Sequence, residues 1–270
     1  MAAVLKVQTV LIRPPLKWAG GKRWLIPHLT ELWRAHQNRR LVEPFCGGLA
    51  VALSLRPNRA LLNDINPHAV RFYSWLKQGF KVNDQLEFDN REALYYEHRK
   101  RFNDLTSNGG TDSAEAAALF YYLNRTCYNG LCRFNSSGQF NVPFGRYKRI
   151  NYTRDFRSYC PIIADWEFSA GDFEKVPVGR EDFLYADPPY DVEFRSYSKE
   201  GFSWDDQVRL GEWLSKHRGP LVVSNQATER ILRLYRELGF EMRTVDAPRM
   251  INCTGDRTPA KEVLATRGFD

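Results

Sequence analysis

Four consecutive residues, Asp187-Pro188-Pro189-Tyr190, place a carboxylate, two stiff imino acids and an aromatic ring directly after the apolar run FLYA. The prolines fix the backbone and remove two amide donors, so the carbonyl oxygens of the loop are free to face a ligand. Carboxylate and carbonyl acceptors suit an –NH2 group, and the ring can stack on a flat base. Asp-Pro is also common in ordinary turns. In open α/β sheets, however, ligands bind where strands end, so the loop is interpreted as an amine clamp for adenine, cytosine or an amide.

Two further segments follow predicted strands and resemble cofactor loops. In VEPFCGG (42–48), glycines permit close approach of the backbone to a ligand, and the next helix offers free amides at its N-terminus. The segment lacks the G-x-G-x-x-G spacing of a dinucleotide site, and a plain strand-to-helix turn is the alternative. Asp64 follows Gly48 by 16 residues. It can accept hydrogen bonds from ribose hydroxyls or cap the helix that begins near Pro67. Together the two segments favour the ribose interpretation.

Two basic segments also carry candidate functional residues. KWAGGK (17–22) predicts a loop that closes over a charged cofactor, with a simple basic turn before a helix as the alternative. The span 121–157 interleaves nine aromatic residues with basic ones and contains a single acid, Asp155. Arginines read guanine edges or hold phosphates, and aromatics fill the gap left by an extruded base. A solvated basic hairpin is the alternative here. The basic residues of the span are Arg125, Arg133, Arg146, Lys148, Arg149, Arg154 and Arg157.

The elements that must position these residues are those of an α/β protein. LVEPF, CGGLAVALSL and RALLNDIN predict a strand, a helix and a strand, which is one βαβ unit. Helical periodicity then dominates, followed by a predicted β-hairpin in RFNSSGQFNVPF. Strand and helix patterns alternate again after about residue 162. The predicted architecture is a catalytic domain, residues 1–66 and 158–270, with a helical and hairpin target-recognition insertion at 67–157.

Composition narrows the class of protein. The chain has 270 residues, a net charge of +7 and 43% hydrophobic residues, which is typical of a globular protein and compatible with nucleic-acid binding. It has neither the ~20-residue apolar run of a membrane span nor the pattern of a signal peptide. Five cysteines and five histidines show no metal-ligand spacing. We therefore expect a cytoplasmic protein with reduced thiols, no metal site and no membrane contact.

These motifs, taken in order, resemble the DNA adenine methyltransferase (Dam) family of N6-adenine-specific enzymes. The matching stretches are KWAGGK, VEPFCGG, NDIN, YNGLCRFN, FNVPFGRYK, GDFE and DPPY. The resemblance implies a Rossmann-like sheet that uses S-adenosylmethionine. The catalytic residues would be Asp187, Pro188 and Tyr190, with Asp187 between the cofactor and the target amine. The cofactor residues would be Trp18, Lys22, Phe45, Gly47, Asp64, Asp172 and Asp187.

The same resemblance implies double-stranded DNA as the substrate, with adenine in GATC as the probable target. The DNA-contacting residues would be Lys17, Tyr128, Asn129, Arg133, Arg146 and Tyr147, with Arg133 and Arg146 as base readers. One segment departs from the family pattern. The stretch DVEFRSYSKE after Tyr190 is shorter than is usual in the family, which puts the exact recognition sequence in doubt and leaves the chemistry unchanged.

The sequence therefore predicts a site-specific DNA methyltransferase that acts on N6 of a flipped-out adenine. The main alternative is an RNA or protein-amide N-methyltransferase with the same catalytic loop. A nicotinamide-dependent oxidoreductase is disfavoured by the missing third glycine. A non-catalytic DNA-binding module would leave the cofactor loops unexplained. The sequence does not reveal whether a partner endonuclease exists.

Overall fold

The computed structural model describes residues 12–191, 201–247 and 260–269. At its centre lies a seven-stranded sheet with the strand order β3-β2-β1-β4-β5-β7-β6. The first five strands in this order run parallel, and β7 runs antiparallel to both of its neighbours. The strands are β1 Leu41–Glu43, β2 Ala60–Asp64, β3 Trp166–Ala170, β4 Phe183–Ala186, β5 Leu221–Gln226, β6 Glu241–Ala247 and β7 Ala260–Arg267.

Helices cover both faces of this sheet or form the insertion. Several begin at residues that the sequence marks as caps: Asn66, Ser113, Ser203 and Thr228 each accept hydrogen bonds from the first turn of a helix. No helix in the described ranges is long and apolar enough to cross a membrane. The helices are α1 Ile26–Trp33, α2 Ala50–Leu55, α3 Pro67–Lys77, α4 Glu92–Ser107, α5 Ala114–Thr126, α6 Cys160–Ile163, α7 Trp204–Ser215 and α8 Glu229–Glu237.

The central strands are buried because a parallel sheet is covered on both faces. Every residue of β1, β2 and β4 is buried. Adjacent residues point to opposite faces, so Val42 packs in a cluster with Leu210 of α7 and Ile231 of α8, whereas Leu41 joins the larger cluster on the other side. The predicted α/β sheet is therefore confirmed. Two strands, β3 and β6, carry exposed residues at the sheet edges, and the sequence pattern did not mark them.

The order of the strands determines where the motifs meet. β1 pairs with β2 on one side and with β4 on the other, although the whole insertion separates β1 and β4 in sequence. The connections leave in opposite directions from this point, which is the kind of position where open α/β sheets bind ligands. The carboxyl ends of β1, β2 and β4 lead into the segments that begin with Glu43, Asp64 and Asp187.

The insertion has an aromatic core. The ring of Phe72 in α3 stacks on Tyr121 in α5, with centroids 5.6 Å apart, and His68 stacks on Phe134 at 4.8 Å. The α3 helix also contacts the sheet, since the Tyr73 hydroxyl donates to the carbonyl of Gly47.

The predicted hairpin is present as an irregular turn. Phe134 and Phe140 form a single antiparallel bridge, and the Asn135 amide donates to the carbonyl of Gln139 at 2.9 Å. The arms do not extend into strands because side chains take part of the backbone hydrogen bonding. The main-chain amide of Phe140, for example, donates to Oδ1 of Asn103 at 2.8 Å.

Candidate active site

Asp187 begins the loop that follows β4, and two donors meet on one of its oxygens. Nζ of Lys22 lies 3.0 Å from Oδ1, and the Ser224 hydroxyl donates to the same Oδ1 at 2.9 Å. Burial raises the pKa of the Asp187 carboxyl, and the Lys22 ammonium opposes that rise. The carboxylate is therefore held in one orientation, with its bonds to Lys22 and Ser224 both on Oδ1.

Lys22, predicted as a cofactor residue, connects the N-terminal loop to the catalytic loop. It is 5% exposed, donates to the Gly20 carbonyl at 2.8 Å and lies over the Tyr190 ring, 4.4 Å from the centroid. A buried ammonium needs charged or polar partners, and Asp187 with the Tyr190 ring supplies them. The structure thus places Lys22 among the predicted catalytic residues.

The two proline carbonyls of the loop have different surroundings. The carbonyl of Pro189 accepts a hydrogen bond from Nε2 of Gln207 at 2.9 Å, and Oε1 of Gln207 in turn accepts from Nδ2 of Asn225 at 2.9 Å. Gln207 and Asn225 are 1% and 0% exposed. With Pro189 engaged in this way, the carbonyl of Pro188 is the better candidate acceptor for a substrate amine.

Sequence reasoning did not find Gln207. The signal that could have found it is an uncharged polar residue on the buried face of the amphipathic helix α7. Ser224 and Asn225 are neighbours in β5 and point to opposite faces of the strand. Ser224 holds Asp187 directly, and Asn225 holds Pro189 through Gln207.

Tyr190 closes the loop, and its hydroxyl donates to Oε2 of Glu262 in β7. Glu262 is 6% exposed, and sequence reasoning missed it. A single acid in the apolar stretch EVLA was the available signal.

Asp64 shapes the adjoining loop. Its Oδ2 accepts from the Gly47 amide at 3.0 Å and its Oδ1 accepts from the Asn66 amide at 2.9 Å. Burial raises the pKa of Asp64, and these two amides oppose the rise. The alternative in which Asp64 caps α3 is wrong, because the cap is Asn66. Ile65, beside Asp64, is 70% exposed and presents an apolar side chain at the same edge of the sheet.

The glycines of VEPFCGG make room for Trp18. Gly47 has a φ of +47°, and a Cβ there would lie 2.7 Å from Nε1 of the Trp18 indole. A Cβ on Gly48 would lie 2.9 Å from Cβ of Trp18. The segments KWAGGK and VEPFCGG, both predicted to bind the cofactor, therefore pack directly on each other. Phe45 lies nearby, in ring contact with Phe173 at 5.6 Å.

Asp172, predicted near the cofactor's adenine, lies just after β3 and is bound by an arginine. Arg209 of α7 donates to both of its oxygens, at 3.1 and 3.0 Å, and also to Glu174 at 2.7 Å. These hydrogen bonds lower the pKa of Asp172. The Arg209 guanidinium lies over the Phe173 ring, 4.4 Å from its centroid, so the group forms a rigid wall beside Phe45.

The predicted DNA-contacting residues divide into two groups. Lys17 is partly buried: its Nζ donates to the Arg125 carbonyl at 2.8 Å and lies 3.7 Å from the centroid of the Tyr147 ring. Burial lowers the pKa of Lys17, and the neighbouring Arg125 lowers it further. Lys17 thus connects the end of α5 with Tyr147.

The other four residues of this group are exposed. Tyr128 is 52% exposed, and Asn129 beside it has a φ of +53°. Arg133 donates to Oδ1 of Asn141 at 2.8 Å, and Arg146 to Glu92 at 3.2 Å. Both guanidiniums make exposed hydrogen bonds that an external ligand can replace.

Comparisons with known proteins identify the family of the chain. Residues 18–251 match the D12 class N6 adenine-specific DNA methyltransferase family. The chain is 34% identical to Type II methyltransferase M.MjaIII of Methanocaldococcus jannaschii, over 91% of this chain and 95% of that protein. It is 36% identical to the Retron Ec67 DNA adenine methylase of Escherichia coli, over 94% and 90%. It is 35% identical to a DNA adenine methylase of Vibrio cholerae, over 93% and 94%. The chain belongs to the D12 class of N6 adenine-specific DNA methyltransferases.

Proposed function

We propose that this enzyme transfers a methyl group from S-adenosylmethionine to N6 of an adenine flipped out of double-stranded DNA, at GATC. One observation carries the proposal. Among the described residues, Lys22 and Ser224 both bond Oδ1 of Asp187, which leaves Oδ2 for a ligand in the loop that also carries the Pro188 carbonyl and the Tyr190 ring. A carboxylate oxygen, a carbonyl and a ring in this order match an exocyclic amine on a flat base.

The donor groups fit S-adenosylmethionine. Glu43 is 2% exposed at the end of β1, and its Oε1 has no hydrogen-bond partner among the described residues. Burial, and then the nearby Asp187 charge, raises the pKa of Glu43. A buried carboxylate oxygen without a partner is costly, and the ammonium of a bound methionine group would satisfy it. Asp64 retains lone pairs for ribose hydroxyls, and Ile65 offers an apolar surface for the adenine ring.

In this proposal the protein mainly orients the reacting groups. Bound S-adenosylmethionine would supply an electrophilic methyl group and leave as S-adenosylhomocysteine, and the methylated nitrogen would then release one proton to solvent. Asp187 Oδ2 and the Pro188 carbonyl accept the two hydrogens of the target amine, whose lone pair is otherwise delocalised into the ring. This favours a more pyramidal nitrogen and directs its lone pair toward the methyl group. Tyr190 stacks on the base, which leaves the duplex at a cost of a few kcal/mol.

The insertion, residues 67–157, provides DNA recognition in this scheme. Tyr128, Asn129, Arg133 and Arg146 are exposed on one part of it, and Lys17 with Tyr147 supports their loop. Arginine pairs with guanine through two hydrogen bonds in the major groove, so Arg133 and Arg146 would read the guanines of the two strands. Phosphate contacts make such binding sensitive to salt.

The test is methylation of a random duplex library with S-adenosylmethionine, followed by sequencing that detects N6-methyladenine. We expect modified adenines in GATC, and none with Asp187→Ala. Arg133→Ala should reduce the discrimination between DNA sequences by about 1–3 kcal/mol. The distal control Arg180→Ala should leave the recognised sequence unchanged. Modification of RNA or of a protein amide in place of DNA, or full turnover by Asp187→Ala, would overturn the proposal.

A further inference from the structure

Glu262 is a buried acid that the proposed chemistry does not yet use. It lies in β7, opposite Gln226 of β5 and Val245 of β6. Because β7 runs antiparallel to β5, its first residues lie at the edge where the parallel strands end. That edge carries Asp187 and Tyr190, so the fold itself brings Glu262 to the active site.

Burying a carboxylate is unfavourable unless it gains partners. Glu262 is followed by Val263, Leu264 and Ala265, which are all 0% exposed. Burial raises the pKa of Glu262, while the Tyr190 hydroxyl and the Lys22 charge lower it. Both compensating groups belong to the active site. An acid needed only to stabilise the sheet would not depend on these two side chains.

The Tyr190 ring is held at two points. Its hydroxyl donates to Glu262, and the Lys22 ammonium lies 4.4 Å from its centroid on one face. The first contact fixes the direction of the ring plane, and the second occupies one side of it. Only the opposite face is then available for a flat base.

We propose that Glu262 is a positioning residue for methyl transfer: it holds the Tyr190 hydroxyl and thereby fixes the ring on which the target base stacks. The inference rests on the proposed role of Tyr190. In this proposal Glu262 acts on the reaction through its hydrogen bond to Tyr190. β4 and β7 are not neighbours in the sheet, and this side-chain bond links the two strands across β5.

A double-mutant cycle tests the proposal. Glu262→Leu removes the acceptor, Tyr190→Phe removes the donor and keeps the ring, and Glu262→Gln keeps an acceptor of the same shape. Each variant is measured by single-turnover methylation of a duplex, by calorimetric binding of S-adenosylmethionine, and by fluorescence of 2-aminopurine at the target position. Glu241→Leu, which changes an exposed acid of β6, is the matched control.

We expect Glu262→Leu and Tyr190→Phe each to slow single turnover about tenfold, the size of one net hydrogen bond. The double variant should be no slower than either single variant, and Glu262→Gln should recover most of the rate. Cofactor affinity should stay within about twofold, because the cofactor residues are untouched. The 2-aminopurine signal should change in the slow variants alone.

Two results would overturn the inference. A further tenfold loss when Glu262→Leu is added to Tyr190→Phe would show that Glu262 acts independently of the ring. A lower unfolding midpoint with an unchanged rate and fluorescence would show a purely structural role. A wild-type protein that methylates no DNA would instead contradict the proposed function. The cofactor-independent 2-aminopurine comparison would still decide the role of Glu262.

Discussion

Lys17 and Asn124 are joined by a pair of hydrogen bonds across 107 residues of sequence. The main-chain amide of Lys17 donates to Oδ1 of Asn124 at 2.8 Å, and Nδ2 of Asn124 donates back to the Lys17 carbonyl at 2.8 Å. The next residue, Trp18, packs on Gly47 and Gly48. Two adjacent residues of the N-terminal loop therefore contact α5 and the glycines that follow β1, respectively.

Replacing Asn124 with Ala should destabilise the protein by about 1–3 kcal/mol, because the Lys17 amide and carbonyl lose their buried partners. Asn124 is 0% exposed. Urea unfolding measures the loss, and Asn108→Ala, at an exposed helix end, should cost much less. Equal stability of the Asn124 variant and the wild type would show that the pair contributes nothing net.

Replacing Gly47 with Ala should weaken cofactor binding and lower stability by about 1–3 kcal/mol, the usual size of a steric clash in a packed site. The added Cβ would meet the Trp18 indole at 2.7 Å. Calorimetry with S-adenosylmethionine checks the prediction. Gly109→Ala is the control, because Gly109 also has a positive φ, +82°, but nothing within 4 Å of the added Cβ. If both variants behave alike, backbone strain rather than contact with Trp18 is the cause.

Replacing Gln207 with Leu should slow methyl transfer and leave cofactor affinity nearly unchanged. The Pro189 carbonyl and the Asn225 amide lose their common partner, at a cost in stability of about 1–3 kcal/mol. Single-turnover rates and equilibrium binding, measured on the same preparation, separate the two effects. Val208→Leu, at the next position of α7, serves as the control. If cofactor affinity falls by the same factor as the rate, the assignment of Gln207 to positioning the Asp187 loop is wrong.

Replacing Glu43 with Gln should make the protein increasingly more stable than the wild type as pH rises. The folded-state pKa of Glu43 is raised by burial, so the unfolded state releases its proton first and gains stability relative to the folded state. The wild type therefore loses stability from the ordinary Glu pKa upward to the raised one, and the Gln variant does not. Urea unfolding at several pH values checks the sign. At low pH the two proteins should have similar stability.

The same Glu43→Gln variant should bind S-adenosylmethionine more weakly by about 1.5–3 kcal/mol, because a charge-assisted hydrogen bond to the ammonium is lost. Calorimetry at several pH values measures this change. Unchanged affinity would remove Glu43 from the cofactor site while leaving its effect on stability intact.

Much of the architecture was predictable because local patterns determine individual elements. Buried runs such as FLYA become central strands, as predicted. The edge strands β3 and β6 were missed because one of their sides meets solvent and their residues lack a clear alternation. The position of the hairpin was predicted correctly, but its hydrogen bonding was not, since the Asn103 side chain accepts a hydrogen bond from the Phe140 amide.

The sequence by itself determined the motifs and their order, because those depend on residue types and short spacings. Only the tertiary structure decided which groups hold that loop. Lys22, Ser224, Gln207 and Glu262 come from four separate segments, and no local pattern encodes their meeting. The reason is the strand order: β4 lies between β1 and β5, and an antiparallel β7 returns to the same edge. The four residues Asp187 to Tyr190 predict an amine-binding loop, but the contacts that hold this loop in place depend on the whole sheet.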